Sequence, residues 1–274
     1  MKILIAVDME GISGVVSWDH VNPEHAEYQR FRRIMTQDVN AAIQGAAEGG
    51  AHNFWVTDGH WNSTNILIEE LDSRASLNSG TPSPLSMVQG ADSGVDGALF
   101  IGYHARMGTQ NAILDHTWSS ARVENLWLNG RLVGETGLNA AVCGAFNVPV
   151  LLVTGDQAVC AEASQWIEGI ETVQVKKAVG RHAAECLSLE ESHHRIQVGA
   201  AKALRNLLAG VAPAPLKLST PVTVAIEFFY SDMADKAALL PGAVRSDGRK
   251  VELHAPDMPT AYRAFRSAVT VAQR

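Results

Sequence analysis

The chain has 274 residues, a formal net charge of −7 at pH 7 and a mean hydropathy close to zero. This length suffices for one large domain or two modest ones with a substantial core. The acidic balance, with no basic block that interleaves aromatic residues, argues against a partner that is a nucleic acid. No secretory signal and no apolar run near the roughly 18 residues of a membrane span is visible, so we expect no membrane partner.

The cysteine usage indicates a reducing compartment. Cys143, Cys160 and Cys186 are odd in number, and no two of them have the CxxC spacing. This pattern is typical of reduced, mostly buried thiols without a metal role, and it predicts a cytoplasmic protein.

Four short apolar runs without clean alternation divide the first part of the chain. Such runs are typical of strands covered on both faces. The predicted strands are Ile3–Val7, Asn53–Thr57, Ala98–Gly102 and Val148–Thr154. The predicted helices between and after them are Glu24–Gly49, Thr64–Ser73, Thr136–Phe146 and Gln157–Ile167. This alternation predicts an α/β fold, with a mainly parallel sheet flanked by helices.

The remaining segments predict an insertion and a second, smaller lobe. Leu126–Val133 has the signature of a β-hairpin, with Asn129-Gly130 as a two-residue type I′ turn. After a predicted helix over Glu190–Leu208, the proline-rich stretch 212–221 resembles a linker. The predicted elements that follow are the strands Val222–Phe229 and Lys250–Ala255 and the helices Met233–Leu240 and Pro259–Ala272. We therefore expect a catalytic α/β domain over residues 1–212 and a C-terminal α+β lobe over 213–274, or one continuous domain.

Two carboxylates stand at the end of the first predicted strand. Asp8 and Glu10 are two residues apart, so a strand-like backbone aims both side chains to the same side. Like charges held that close repel each other unless a proton or a cation lies between them. The pair is therefore a candidate metal site.

The other predicted strands end in residues of the same chemistry. The second is followed by Asp58-Gly59-His60, the third by Gly102-Tyr103-His104 and the fourth by Gly155-Asp156. In an open parallel sheet, ligands bind beyond the carboxyl ends of the strands. Carboxylate and imidazole ligands without thiolate suit Zn²⁺, Mn²⁺ or Co²⁺, and two ions bridged by a carboxylate are a common hydrolytic arrangement. Asp8, at the tip of its strand, is the natural bridge.

Each of these residues alone has an ordinary structural explanation. Asp8 could cap a loop, His60 could be a turn residue and His104 a satisfied core histidine. Packing alone hardly produces the coincidence of all of them at matching strand ends. Asp58 is either a partner of a ligand histidine or a turn-forming residue, and Asp156 is better explained as a helix N-cap.

One further histidine, His116, lies on the loop between the strand before His104 and the hairpin. A loop in this place can overhang the same crevice and supply a base, an acid or a stabiliser of the transition state. The other histidines have no carboxylate pattern around them, and we interpret them as structural or solvated.

Five segments in one order carry a resemblance to a known family. They are VDMEGISG at 7–14, DGH at 58–60, GALFIGYHAR at 97–106, the isolated His116, and VGETGLNA at 133–140. Together they resemble the zinc-dependent D-aminopeptidases of the DppA type, most densely over residues 1–156. The resemblance implies two zinc ions, with Mn²⁺ or Co²⁺ as possible substitutes, and His116 as the catalytic histidine. The metal ligands that it implies are Asp8, Glu10, His60, His104 and Glu135.

The resemblance also implies a ring-shaped homodecamer that encloses its active sites and admits short peptides. Without it, Glu135 would be a hairpin-end carboxylate or a first-turn glutamate that favours the helix dipole. The expected reaction is metal-assisted hydrolysis at the N-terminal residue of a short peptide, with D-residues preferred. Two alternatives are a dinuclear amidohydrolase or phosphoesterase, for which only Arg106 lies near the motifs as a phosphate clamp, and a silent metal-binding scaffold.

Overall fold

The computed structural model describes residues 1–273. Its strands are β1 (Lys2–Val7), β2 (Asn53–Asp58), β3 (Ala75–Asn78), β4 (Gly97–Ile101), β5 (Val123–Leu128), β6 (Arg131–Leu132), β7 (Val150–Asp156), β8 (Glu171–Gly180), β9 (Ala183–Cys186), β10 (Val222–Phe228), β11 (Ala243–Arg245) and β12 (Lys250–Ala255). Its helices are α1 (Trp18–Val21), α2 (Tyr28–Glu48), α3 (Glu135–Ala145), α4 (Gln157–Trp166), α5 (Leu189–Leu208), α6 (Ser231–Ala237) and α7 (Met258–Val271).

The larger sheet has seven strands in the order β3-β2-β1-β4-β7-β8-β9, and all of them are parallel except β9. β1 lies between β2 and β4, and its side chains alternate between the two faces of the sheet. Ile3, Ile5 and Val7 pack on the face that α2 and α5 cover, whereas Leu4 and Ala6 pack toward α3 and the second sheet. Burial on both faces explains why this strand is an uninterrupted apolar run.

The second sheet is antiparallel, in the order β11-β12-β10-β5-β6. The predicted hairpin supplies β5 and β6, and its turn residues Asn129 and Gly130 have the positive φ angles, 49° and 78°, of a type I′ turn. β5 pairs with β10, so the hairpin and the C-terminal strands share one sheet and one core. The division of the chain at residue 212 stays a prediction.

The predicted fold class is confirmed, but the predicted helix over Thr64–Ser73 is wrong. Residues 61–74 form turns, because side chains from elsewhere take the backbone groups that a helix would need. The Arg32 guanidinium donates to the carbonyl oxygens of Thr64 and Asn65, which are the acceptors that the first hydrogen bonds within the helix would need. Tertiary hydrogen bonds thus override the local helical pattern.

Other boundaries also differ from the predictions. The helix predicted over Glu24–Gly49 is α2, which begins only at Tyr28. The residues before it form a turn, in which the side chain of Asn22 accepts the backbone N–H of Glu24. The sequence patterns do not predict α1, β3, β8, β9 or β11. Cys186 is exposed, against the expectation of mostly buried thiols. Among residues 1–273, no helix combines the length and the apolar character that a membrane crossing requires.

A candidate metal centre at the carboxyl ends of the strands

The predicted site residues come together at one edge of the larger sheet. Asp8 and Glu10 follow β1, His60 follows β2 and His104 follows β4, and these three strands are parallel neighbours. Glu135 joins them from the first turn of α3. All five side chains are buried, as is His116 beside them.

The loop after β1 is held against the end of β4 by direct backbone contact. The N–H groups of Asp8 and Gly11 donate to the carbonyl oxygens of Ile101 and Gly102, at 2.9 and 2.8 Å. A Cβ atom on Gly11 would lie 1.9 Å from the carbonyl oxygen of Tyr103, so only glycine fits here. This close approach brings the two carboxylates beside His104.

A buried lysine on another strand of the sheet holds the same loop by hydrogen bonds. The Lys176 ammonium, on β8, donates to the carbonyl oxygens of Glu10, Ile12 and Val15 at 2.6, 2.8 and 2.8 Å. Burial lowers the pKa of Lys176 to about 8, which still leaves the group mostly protonated at neutral pH. Three carbonyl oxygens therefore replace the water that this charge loses.

Two buried carboxylates that are not in the cluster fix the loops that carry it. Asp38 accepts hydrogen bonds from the backbone N–H and the hydroxyl of Ser13. Asp58 accepts from the Nδ2 of Asn65 at 2.7 Å, and the same amide donates to the carbonyl oxygen of His60 at 2.6 Å. Of the two alternatives for Asp58, the geometry favours a role in shaping the loop.

Asp8 lies between two histidines and faces each with a different oxygen. Its Oδ1 is 3.3 Å from His60 Nδ1, and its Oδ2 is 3.3 Å from His104 Nε2. Glu10 Oε2 lies 3.2 Å from the same nitrogen of His60, and Glu135 Oε1 lies 3.1 Å from that of His104. The cluster thus consists of two sets of three ligand atoms that share Asp8.

Backbone carbonyls fix the orientation of the three imidazoles. In each ring one nitrogen lies within hydrogen-bonding distance of a carbonyl oxygen: His60 Nε2 with Val21, His104 Nδ1 with Ala105, and His116 Nδ1 with Leu114. A carbonyl oxygen only accepts, so that nitrogen carries a hydrogen, and in the neutral ring the other nitrogen carries the lone pair. The nitrogens that face the carboxylates are therefore the ones able to bind a metal.

The electrostatics of the cluster favour positive charge. Burial lowers the pKa of His60 and His104, but Glu10 and Glu135 outweigh it, and both pKa values lie well above the ordinary value. Burial raises the pKa of Asp8, but the adjacent imidazoles of His104 and His60 bring it well below its usual range. Buried carboxylates at such distances need compensating protons or cations.

The residues fit a pair of metal ions. Asp8 Oδ2, Glu10 Oε2 and His104 Nε2 are buried without a hydrogen-bond partner, as expected of atoms whose partner is a metal. Two ligands about 2.0 Å from a tetrahedral ion lie about 3.3 Å apart, close to the four distances between carboxylate oxygens and imidazole nitrogens given above. Nitrogen and carboxylate donors without thiolate suit Zn²⁺, Mn²⁺ or Co²⁺.

His116 lies beside the two sets, and its ligand atom and those of His104 and Glu135 all lie within 4.8 Å of one another. Its Nε2 is 3.8 Å from Glu135 Oε1 and 4.0 Å from Glu10 Oε1, and its ring stacks on that of His104. Burial, and then the charge of His104, lower the pKa of His116. It is therefore a neutral imidazole whose Nε2 lone pair is available, as both a general base and a metal ligand require.

The His116 loop adopts a constrained backbone. Leu114 and Trp118, on either side of His116, have positive φ angles of 49° and 64°. Such a conformation costs about 1 kcal/mol for each residue that is not glycine. The backbone N–H of Trp118 donates to Glu135 Oε1 at 2.8 Å, which ties the loop directly to the cluster.

The cluster opens into a cavity of about 570 Å³, a volume typical of sites for small molecules. Asp8, Glu10, His60, His116 and Glu135 form part of its wall. The remaining wall includes three aromatic side chains and two arginines: Trp18, Trp61, Trp118, Arg122 and Arg266.

The sequence model of the D-aminopeptidase family matches residues 1–267. The chain belongs to this family. A D-aminopeptidase of Bacillus subtilis (strain 168) is 37% identical over 275 residues, which cover 100% of this chain and 98% of the relative. A solved structure from the same species is that of the Zn-dependent D-aminopeptidase DppA, described as a self-compartmentalizing protease. It superposes on this chain with a TM-score of 0.96 at 37% identity, and the match covers 100% of this chain and 98% of that one.

The family match confirms the resemblance. It shows that the present chain is a metal-dependent hydrolase of the aminopeptidase class. The structure brings all six predicted site residues together, and their individual roles stay predictions. Asp156 is the N-cap of α4, as predicted. Sequence reasoning missed Lys176, because the exposed Lys177 follows it directly and no local pattern marks one of the two lysines as buried.

Replacing Lys176 with methionine tests its support of the loop. The variant keeps the length of the side chain but leaves three buried carbonyl oxygens without a donor. We expect the free energy of unfolding to fall by about 3 kcal/mol, as measured by urea denaturation. Lys177→Met, at the exposed neighbouring position, is the matched control and should be nearly neutral. Equal stability of the two variants would contradict the assigned role.

Proposed function

We propose that this chain is a dinuclear zinc aminopeptidase that releases the N-terminal residue of short peptides, with D-residues preferred. The observation that carries the proposal is the position of Asp8, whose two oxygens each face a different histidine. A carboxylate placed in this way can bridge two ions. The family and the zinc dependence of the B. subtilis relative support zinc and the D-preference.

In this proposal each ion has its own terminal ligands. Glu10 and His60 would hold one ion, Glu135 and His104 would hold the other, and Asp8 would bridge them. When bound, such a metal pair supplies Lewis acidity toward the peptide carbonyl and makes water more acidic. The residues themselves fix the geometry in a buried pocket, where charge is poorly screened.

His116 would move protons at Nε2. Its Nδ1–H is fixed on the carbonyl oxygen of Leu114, so the Nε2 lone pair is held at the cavity wall. From there it can accept a proton from the attacking group and return it to the leaving amine. The low pKa of His116 keeps this lone pair available at neutral pH.

We further propose that the chain assembles into a ring-shaped homodecamer that encloses its sites. The support is the description of the relative as self-compartmentalizing and the near-identical fold. Such a chamber would restrict substrates to short peptides. A cytoplasmic location stays a prediction.

A turnover screen tests the reaction class. The metal-free protein, prepared with a chelator, is assayed on D- and L-alanyl dipeptides with added Zn²⁺, Mn²⁺ or Co²⁺. We expect no turnover without metal, recovery with metal and faster release of D-alanine. Turnover of a phosphomonoester in place of the peptides would favour the phosphoesterase alternative. Failure to bind any of these metals would contradict both hydrolase interpretations, and metal binding without turnover of either substrate would favour the silent metal-binding scaffold.

The ligand assignment predicts unequal losses of metal from two variants. Asp8→Ala removes the shared carboxylate and should release both ions, whereas Glu10→Ala should mainly weaken one. Elemental analysis after gel filtration measures the metal content per chain. Asp19→Ala, an exposed carboxylate outside the cluster, is the control and should keep full loading. A full complement of metal in Asp8→Ala would refute the bridging role.

The role of His116 predicts a variant that binds metal but turns over slowly. His116→Asn should keep both ions and lower kcat by about 10²- to 10⁴-fold, the usual contribution of a general base. Steady-state kinetics and metal analysis are run on the same sample, with the exposed His52→Asn as the control. Unchanged kcat would remove His116 from the mechanism, and loss of an ion would make it a ligand.

A further inference from the structure

Two arginines line the same cavity as the metal cluster. Arg266 lies on α7, and its Nη1 donates to the carbonyl oxygens of Ser83 and Pro84, both at 2.8 Å. Arg122 immediately precedes β5, and its Nη1 donates to the carbonyl oxygen of Val269 at 3.3 Å. Val269 is three residues beyond Arg266, so the residue that accepts from Arg122 and the residue that carries the second guanidinium are neighbours on one face of α7.

Neither guanidinium forms an ion pair with a carboxylate of residues 1–273. The arginines that form ion pairs within residues 1–273 are Arg30, Arg33, Arg74, Arg181, Arg195, Arg245 and Arg249. Arg122 and Arg266 take no part in these pairs, and the hydrogen bonds above fix them through neutral carbonyl oxygens. Both are half-buried. A half-buried guanidinium that lacks a counter-ion in a cavity wall is suited to an anionic ligand.

A continuous wall joins the arginines to the metal cluster. Trp118 donates its backbone N–H to Glu135, and its indole packs edge-on against Tyr262 and Phe265 of α7 at centroid distances of 5.7 and 5.2 Å. Phe265 is the neighbour of Arg266 in the chain. The segment from His116 to Arg122 therefore runs from the reacting groups to the arginine pair.

We propose that Arg122 and Arg266 form a subsite for the C-terminal carboxylate of the substrate. This inference rests on the proposed function, in which the N-terminal residue of the peptide lies at the metal cluster. The cavity then has carboxylates and metal ions at one region and paired guanidiniums at another, matching the groups that a free short peptide carries. Guanidinium groups bind carboxylates through paired, charge-assisted hydrogen bonds, which a C-terminal amide cannot reproduce.

Such a subsite selects both the length and the terminus of the substrate. Anchoring the carboxylate positions the scissile bond, so remote binding energy contributes to the reaction. A peptide whose C-terminus is blocked lacks this anchor, as does one whose chain is too long to fit the cavity. The substrate class is therefore free peptides of a few residues.

The test compares D-alanylglycine with its C-terminal amide on the metal-loaded enzyme. The wild-type enzyme should show a kcat/KM about tenfold or more higher for the free acid, as expected when one charge-assisted interaction is lost. Arg122→Met and Arg266→Met should each reduce this acid-to-amide ratio toward one, mainly by raising KM for the acid. Arg122→Lys and Arg266→Lys keep the positive charge but lose the paired N–H donors of the guanidinium. They should retain part of the preference for the free acid over the amide.

Arg263→Met, on the exposed side of α7 and outside the cavity, is the matched control and should keep the wild-type ratio. A wild-type ratio near one would overturn the subsite, even if the methionine variants failed to fold. Equal losses on both substrates would also overturn it, because they would indicate a packing role. If the wild-type enzyme hydrolysed neither substrate, the proposed function itself would be wrong, and the inference would fail with it.

Discussion

Three carboxylates buried within contact of the same histidines are the constraint on which the site depends. Asp8, Glu10 and Glu135 are each less than 5% exposed, so their charges are neither hydrated nor screened. Such a group is tolerated only where positive charge is supplied in return. The raised pKa values of His60 and His104 express this demand, and two metal ions would satisfy it.

A buried lysine and the close packing of the backbone also contribute to holding these carboxylates in place. The Lys176 ammonium donates to three carbonyl oxygens of the loop that carries Glu10, so a group that is mostly cationic at neutral pH lies next to the cluster. Gly11 lets this loop touch the end of β4, which sets the spacing between the carboxylates and His104. The geometry of the site is therefore held before any ligand arrives, which is the requirement for catalysis by preorganised groups.

The sequence was most informative where a local pattern and a general rule of topology act together. Asp8 and His60 follow apolar strands, and the carboxyl ends of parallel strands meet at one edge, so their convergence could be predicted. Glu135 begins a helix after a hairpin, a position that topology does not direct to that edge, and only the family resemblance pointed to it. Lys176 lies on a strand that was not predicted. The predicted helix over Thr64–Ser73 is wrong because backbone carbonyl oxygens in this segment accept hydrogen bonds from a side chain that is distant in the sequence.

The anchoring of the imidazoles on main-chain oxygens has a consequence for how such a site can diverge. Val21, Ala105 and Leu114 contribute their carbonyl oxygens and not their side chains, so every amino acid offers the same acceptor. All three side chains are fully buried in the core and outside the wall of the cavity, so substitutions there act on packing rather than on which ring nitrogen carries the lone pair. The metal-binding form of each imidazole is thereby set by the main chain, and the side chains at these positions can vary as far as the core accommodates them.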